Sequence, residues 1–174
     1  GIKCYVQYSL NDYEEEKLEC GVPPLVERID TFKKLVDELG FGGVVWRFDP
    51  LMLTDCIDID KLIDKIGRIG EQLKDYTEKL VFSFADINIY RKVKHNLIAN
   101  GITYHEWEET EMIEFVEKLV SLNNSNHWNL KLATCGEKGC YPGVEPNHCV
   151  DDELIIRRAY EDKVLMDFLK ADVK

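Results

Sequence analysis

The chain has 174 residues, 45% of them hydrophobic, and a formal net charge of -11. That length suits one domain with a real core. The acidity argues against a nucleic-acid backbone as main partner, because phosphate neutralisation needs clustered Lys and Arg. No apolar run approaches the ~20 residues of a membrane helix.

The chain opens GIKCYVQYSL, which reads as a strand and not as a signal peptide. Residues 4–10 form this first strand, with Gln7 and Ser9 at its end. An acidic loop, NDYEEEKLEC, follows. Pro23 and Pro24 then open a helix, where proline costs little. Leu25, Ile29, Phe32, Val36 and Leu39 make its apolar stripe, and Gly40 ends it.

The stretch VVWRFDPLMLT, residues 44–54, is the centre of the reading. Apolar positions lead into Arg47 and Asp49, and Pro50 stops the run. This is the pattern of a parallel strand covered on both faces, delivering charged groups at its carboxyl end. Asp58 caps a second helix with Ile59, Leu62, Ile63, Ile66, Ile69 and Leu73 facing inward. Gly67 and Gly70 in that helix read as points of close packing against the sheet.

Residues 79–87 form the third strand, ending at Ser83 and Asp86. A short helix over residues 90–99, stopped by Gly101, carries the compact basic cluster at residues 91–95, read as a solvated face. Residues 111–122 form another helix, with Met112, Phe115, Leu119 and Leu122 inward. A polar turn at residues 123–129 leads to a fourth strand at residues 130–135. An irregular Cys/Gly/Pro segment fills residues 135–150. Asp151 caps a helix with Leu154 and Ile155, and Leu165, Met166, Phe168 and Leu169 suggest a further amphipathic end.

Strand and helix alternate four times, which implies right-handed crossovers and a parallel sheet. Four βα units do not close an eight-stranded barrel. The expected fold is therefore α/β: a parallel-sheet partial (β/α) barrel, TIM-barrel-like, in a single domain over residues 1–174. An exposed sheet edge is a liability. The chain is accordingly expected to be the core of a longer protein, with further segments or a second protomer over the edge.

Ligands bind at the carboxyl ends of strands in such architectures. Gln7, Ser9, Arg47, Asp49, Ser83, Asp86, Thr134, Cys135 and Glu137 are expected to share one rim. Arg47, Asp49, Asp86 and Glu137 are the catalytic candidates, because a guanidinium beside carboxylates can bind a polar substrate and supply an acid or base. Gln7, Ser9, Trp46 and Ser83 are candidates for cofactor binding. Trp46 borders the rim, while Trp107 and Trp128 read as packing residues.

Six cysteines occur: Cys4, Cys20, Cys56, Cys135, Cys140 and Cys149. They read as reduced thiols of a cytoplasmic protein, with Cys4 and Cys56 in or near the core. Cys135, Cys140, His148 and Cys149 have soft-metal character, and zinc or iron suits such ligands. Their spacing is irregular and contains no C-x2-C pair. The sequence has no Gly-rich phosphate loop, no nucleophile elbow and no HExxH.

Five stretches together resemble the bacterial family known as domain of unknown function 1848. They are VPPLVERIDTFKKL (residues 22–35), VVWRFDPLMLTD (44–55), FSFADINIYRKVKHNL (82–97), LATCGE (132–137) and CVDDELI (149–155). The resemblance implies a partial barrel similar to radical S-adenosylmethionine enzymes. It also implies an iron–sulfur cluster, S-adenosylmethionine and a small-molecule substrate for intact members. Such members look as if they carry an SRRTDIP-like N-terminal motif and a CPxxCxYCYA-like tail, and this sequence has neither. Arg47, Asp49, Asp86, Cys135, Glu137 and Cys149 carry over as matching positions.

Three readings follow. The chain is the core of a radical S-adenosylmethionine-like enzyme, catalytically silent by itself. Alternatively it is a carboxylate-based hydrolase or lyase using Asp49, Asp86 and Glu137, with Arg47 holding an anionic group. The third reading is a non-enzymatic interaction module.

Overall fold

The computed structural model describes residues 4–136, 139–147, 150–159, 161–164 and 167–168. Its main sheet has five strands, all parallel, in the order β1-β2-β4-β6-β7. These are β1 (Val6–Ser9), β2 (Val44–Leu51), β4 (Lys79–Phe84), β6 (Lys131–Cys135) and β7 (Glu145–Asn147). The helices are α1 (Leu25–Leu39), α2 (Ile59–Leu73), α3 (Arg91–Ala99), α4 (Glu109–Ser125) and α5 (Asp152–Ala159). A separate antiparallel pair joins β3 (Leu53–Thr54) to β5 (Tyr104–His105). The sheet is open, and no closed barrel forms among the described residues.

Alternation along the strands sorts residues to two faces. Val44, Trp46, Phe48, Leu80, Phe82 and Leu132 share the large core with Ile29, Phe32, Leu62, Ile66, Phe115 and Leu119 of α1, α2 and α4. Val45, Val81 and Ala133 face the other way and meet Leu154 of α5 in a smaller core. The helix boundaries have local causes. Asp58 Oδ1 accepts from Lys61 N at 2.8 Å, and Asp151 Oδ1 from Leu154 N at 2.9 Å. Gly40, at φ +81°, donates to Val36 O where α1 ends.

Several expectations change. Trp46 lies in the helix-facing core, fully buried, and donates to Leu10 O at 2.9 Å. It follows the alternation away from the rim. Thr134 is buried one position before Cys135 for the same reason. The segment expected to be irregular contains β7, whose sequence Glu-Pro-Asn has no strand-like apolar signal. α4 runs on to Ser125 through the expected polar turn. Asn123 is buried there, with its amide bonded to both Leu130 N and Leu130 O. Gly70 packs closely, but against Trp128 and not the sheet, whereas the nearest atom to a methyl on Gly67 is Leu122 Cδ2 at 3.9 Å. Cys4 and Cys56 are exposed thiols, as are Cys20 and Cys140. Phe168 is exposed, and Leu165, Met166 and Leu169 lie outside the described residues. Among the described residues no helix is long and apolar enough to cross a membrane.

Candidate active site

The face that carries Val45, Val81 and Ala133 turns polar toward the carboxyl ends of the strands. One step of two residues beyond each small apolar position stand Arg47, Ser83 and Cys135, and Gln7 lies beside Val45 in the register of β1 on β2. The Arg47 guanidinium donates to Gln7 Oε1 at 2.6 Å and to Asp49 Oδ2. Ser83 Oγ donates to Asp49 Oδ1. Asp49 thus accepts on both oxygens from two neighbouring strands. Burial alone would weaken the charge on Arg47. The Asp49 carboxylate, and after it Cys135, reverse that and hold the guanidinium above its ordinary pKa.

A β-bulge places Asp49 there. The register of β2 on β4 shifts between Phe48 and Leu51, and the Asp49–Pro50 peptide is cis. An interrupted ladder leaves backbone groups that need partners. The loop after β1 supplies them. Asn11 Oδ1 accepts from Asp49 N at 2.8 Å, and its Nδ2 donates to Asp49 O at 3.2 Å. Tyr13 OH donates to Pro50 O at 2.8 Å and accepts from Met52 N at 3.2 Å. Burial drives the Tyr13 phenol far above its ordinary pKa, so it stays protonated and can donate.

That loop is itself clamped. The ammonium of Lys65 on α2 is fully buried, 3.1 Å from Glu16 and 4.0 Å from Asp12. Lys61 and Arg68 on the same helix add contacts to Glu16 and Asp12. Arg28 of α1 reaches Glu14 and Glu19 and donates to Asn11 O. The acidic run is therefore structural. Its signal was legible as charge complementarity: the cations at residues 61, 65 and 68 follow helical spacing.

Above the polar cluster lies a cleft of about 810 Å³. Asp49, Ser83 and Cys135 form one wall. Phe84, Trp107 and Met112 form an apolar wall, and Asp86, Ile89, Tyr90 and Glu106 lie toward α3. Phe84 and Trp107 stack edge-on with centroids 4.8 Å apart, and Trp107 donates to Leu51 O. Its volume falls in the range of small-molecule sites, at the place where parallel sheets bind ligands.

The other expected residues divide as follows. Asp86 lines the cleft but is exposed, and its carboxylate accepts from Ile89 N at 3.3 Å in the turn before α3. Ser9 is exposed at the end of β1, opposite Arg47 in register. Cys135 lines the cleft and Cys140 does not. Among the described residues no three His, Cys, Asp or Glu side chains group to hold a metal ion. Glu137, His148 and Cys149 lie outside the described residues. The sequence reading missed Asn11 and Tyr13. It also missed Glu106, whose carboxylate accepts from Ile87 N and Asn88 N at 3.2 and 2.7 Å. No motif marks any of the three, because each acts by meeting backbone far away in sequence.

A family model described as a domain of unknown function (DUF1848) matches residues 1–172. No curated protein and no solved structure matches the chain.

Proposed function

The chain belongs to the DUF1848 family, and from that premise and the cleft geometry we propose that it forms the core of an enzyme acting on a small organic molecule. The observation that carries this reading is the pair Asp49 and Ser83 on the wall of the cleft, with Arg47 bonded to Asp49 outside the lining. Asp49 is the acceptor that orients a substrate N–H or O–H, or takes its proton. Arg47 positions Asp49 and stabilises its charge. Ser83 fixes the other oxygen. Asp86, in the same lining, is the second carboxylate of a hydrolytic or lyase step, and Glu137 joins it by sequence position alone. The succession of strands in chain order supports the partial-barrel form of the fold.

The test is a thermal-shift screen of small polar metabolites against the protein and its Asp49→Asn variant, with turnover of each hit followed by mass spectrometry. A ligand that stabilises and is turned over only by the Asp49 form supports the reading. Hits that the Asp49→Asn variant both binds and turns over equally well remove it.

The finer reading, the core of a radical S-adenosylmethionine-like enzyme, rests on the sequence resemblance. Such a cluster needs closely placed thiolates. The described residues bring only Cys135 to the cleft, so they do not fit it. Iron and labile sulfide assayed without oxygen on this chain and on a form extended at both ends test this directly. Both found only in the extended form support it, and neither found in either form leaves the carboxylate enzyme.

A further inference from the structure

We infer that the cleft selects an organic cation, an amine carrying an aromatic or branched apolar group, over an anionic or neutral analogue. This rests on the cleft being a small-molecule site, and it names the class of molecule. The sequence suggested the opposite, with Arg47 holding an anion. The geometry turns Arg47 away from that task. Its guanidinium reaches Gln7, Asp49 and Cys135, and it is not among the residues lining the cleft.

The described lining contains three carboxylates, from Asp49, Asp86 and Glu106, and no Lys, Arg or His. Arg47 neutralises Asp49 from behind, which leaves Asp86 and Glu106 to set the charge of the opening. Lys94, whose ammonium bonds Asn88 Oδ1 at 2.7 Å, and the other basic residues at 91–95 stand outside the lining. These carboxylates do not form a metal-holding group among the described residues, which favours an organic cation over a metal ion. The apolar half of the lining offers a place for the body of such a ligand, with the rings of Phe84 and Trp107 below and Tyr90, 63% exposed, at the mouth. An aromatic face near a carboxylate attracts an ammonium by both its quadrupole and the neighbouring charge. The net charge of -11 adds a long-range field of the same sign.

The experiment is calorimetric titration of the protein at low ionic strength with three probes of similar shape: 2-phenylethylamine, 2-phenylethanol and 3-phenylpropionate. The amine is expected to bind about tenfold more tightly than the alcohol, and the carboxylate most weakly. Asp86→Asn keeps the turn's acceptor and removes the charge. It should weaken the amine severalfold and leave the alcohol unchanged. Tyr90→Ala, at an exposed position, should also weaken the amine more than the alcohol. Equal affinities, a preference for the carboxylate, or an amine affinity indifferent to Asp86→Asn would overturn the cation class while leaving the cleft a binding site. Binding of none of the three at millimolar concentration would overturn both.

Discussion

The two faces of the main sheet are built from the same strands, one residue out of step. On the face covered by α1, α2 and α4, Trp46, Phe48 and Phe82 are fully buried. On the other, the small apolar residues Val45, Val81 and Ala133 sit under α5, and the next residues outward are Arg47, Ser83 and Cys135. Large side chains on the first face exclude water and hold the fold. Small ones followed by polar ones on the second give way to the hydrogen-bonded cluster beside the cleft. A strand's period of two lets one stretch of sequence do both.

The sharpest test of this contrast is a neighbouring pair. Phe82→Ala should cost about 3–5 kcal/mol, because it opens a cavity in the large core. Ser83→Ala should cost about 1 kcal/mol or less, since one partly exposed hydrogen bond is lost. Urea denaturation of both variants reads the difference. Similar losses would mean that the second face is core and not site.

A smaller effect is expected on the helical side. A methyl group at Gly70 would overlap the Trp128 indole, whose N–H bonds Glu71 at 2.7 Å. Gly70→Ala should therefore destabilise by about 1–3 kcal/mol. Gly67→Ala has room and should stabilise by about 0.5–1 kcal/mol through better helix propensity. Opposite signs in thermal melts would confirm that only one of the two glycines is needed for packing.

A pH-dependent effect concerns the clamp that supports the polar face. Burial works to raise the Glu16 pKa, but hydrogen bonds from Lys61 and Lys65 outweigh it and hold the carboxyl below its ordinary value. A depressed carboxylate stabilises the fold above its unfolded pKa and ceases to do so as pH falls through the folded one. Stability should thus decline below about pH 4.3, the ordinary glutamate value. Glu16→Gln should lower stability near neutrality and flatten that decline. An unchanged acid profile in the variant would show that the clamp does not support the loop.

The long periodic elements were legible because burial imposes the period directly. The stripe of α1, the inward residues of α2 and the caps at Asp58 and Asp151 all appear in the structure. The strand ends were legible as well: Gln7, Arg47, Asp49, Ser83 and Cys135 come together as the alternation implies. Trp46 went astray because a rim drawn from sequence proximity ignores which face each residue takes. β3, β5 and β7 escaped because two or three residues carry no period. The bulge at Asp49 and its Asn11 and Tyr13 supports are pairings across 37 to 39 positions, which no local pattern records.

The supports of the bulge also have an order in time. Asn11, Tyr13, Asp49, Pro50, Met52, Lys65 and Arg68 all precede β4 in the chain. During synthesis, which runs from the N-terminus, every partner that fixes the backbone of Asp49 has been made before Ser83, Phe84 or Trp107 exists. The backbone of Asp49 can therefore be fixed first, and Ser83, the aromatic wall and finally Cys135 are then added around a carboxylate already in place.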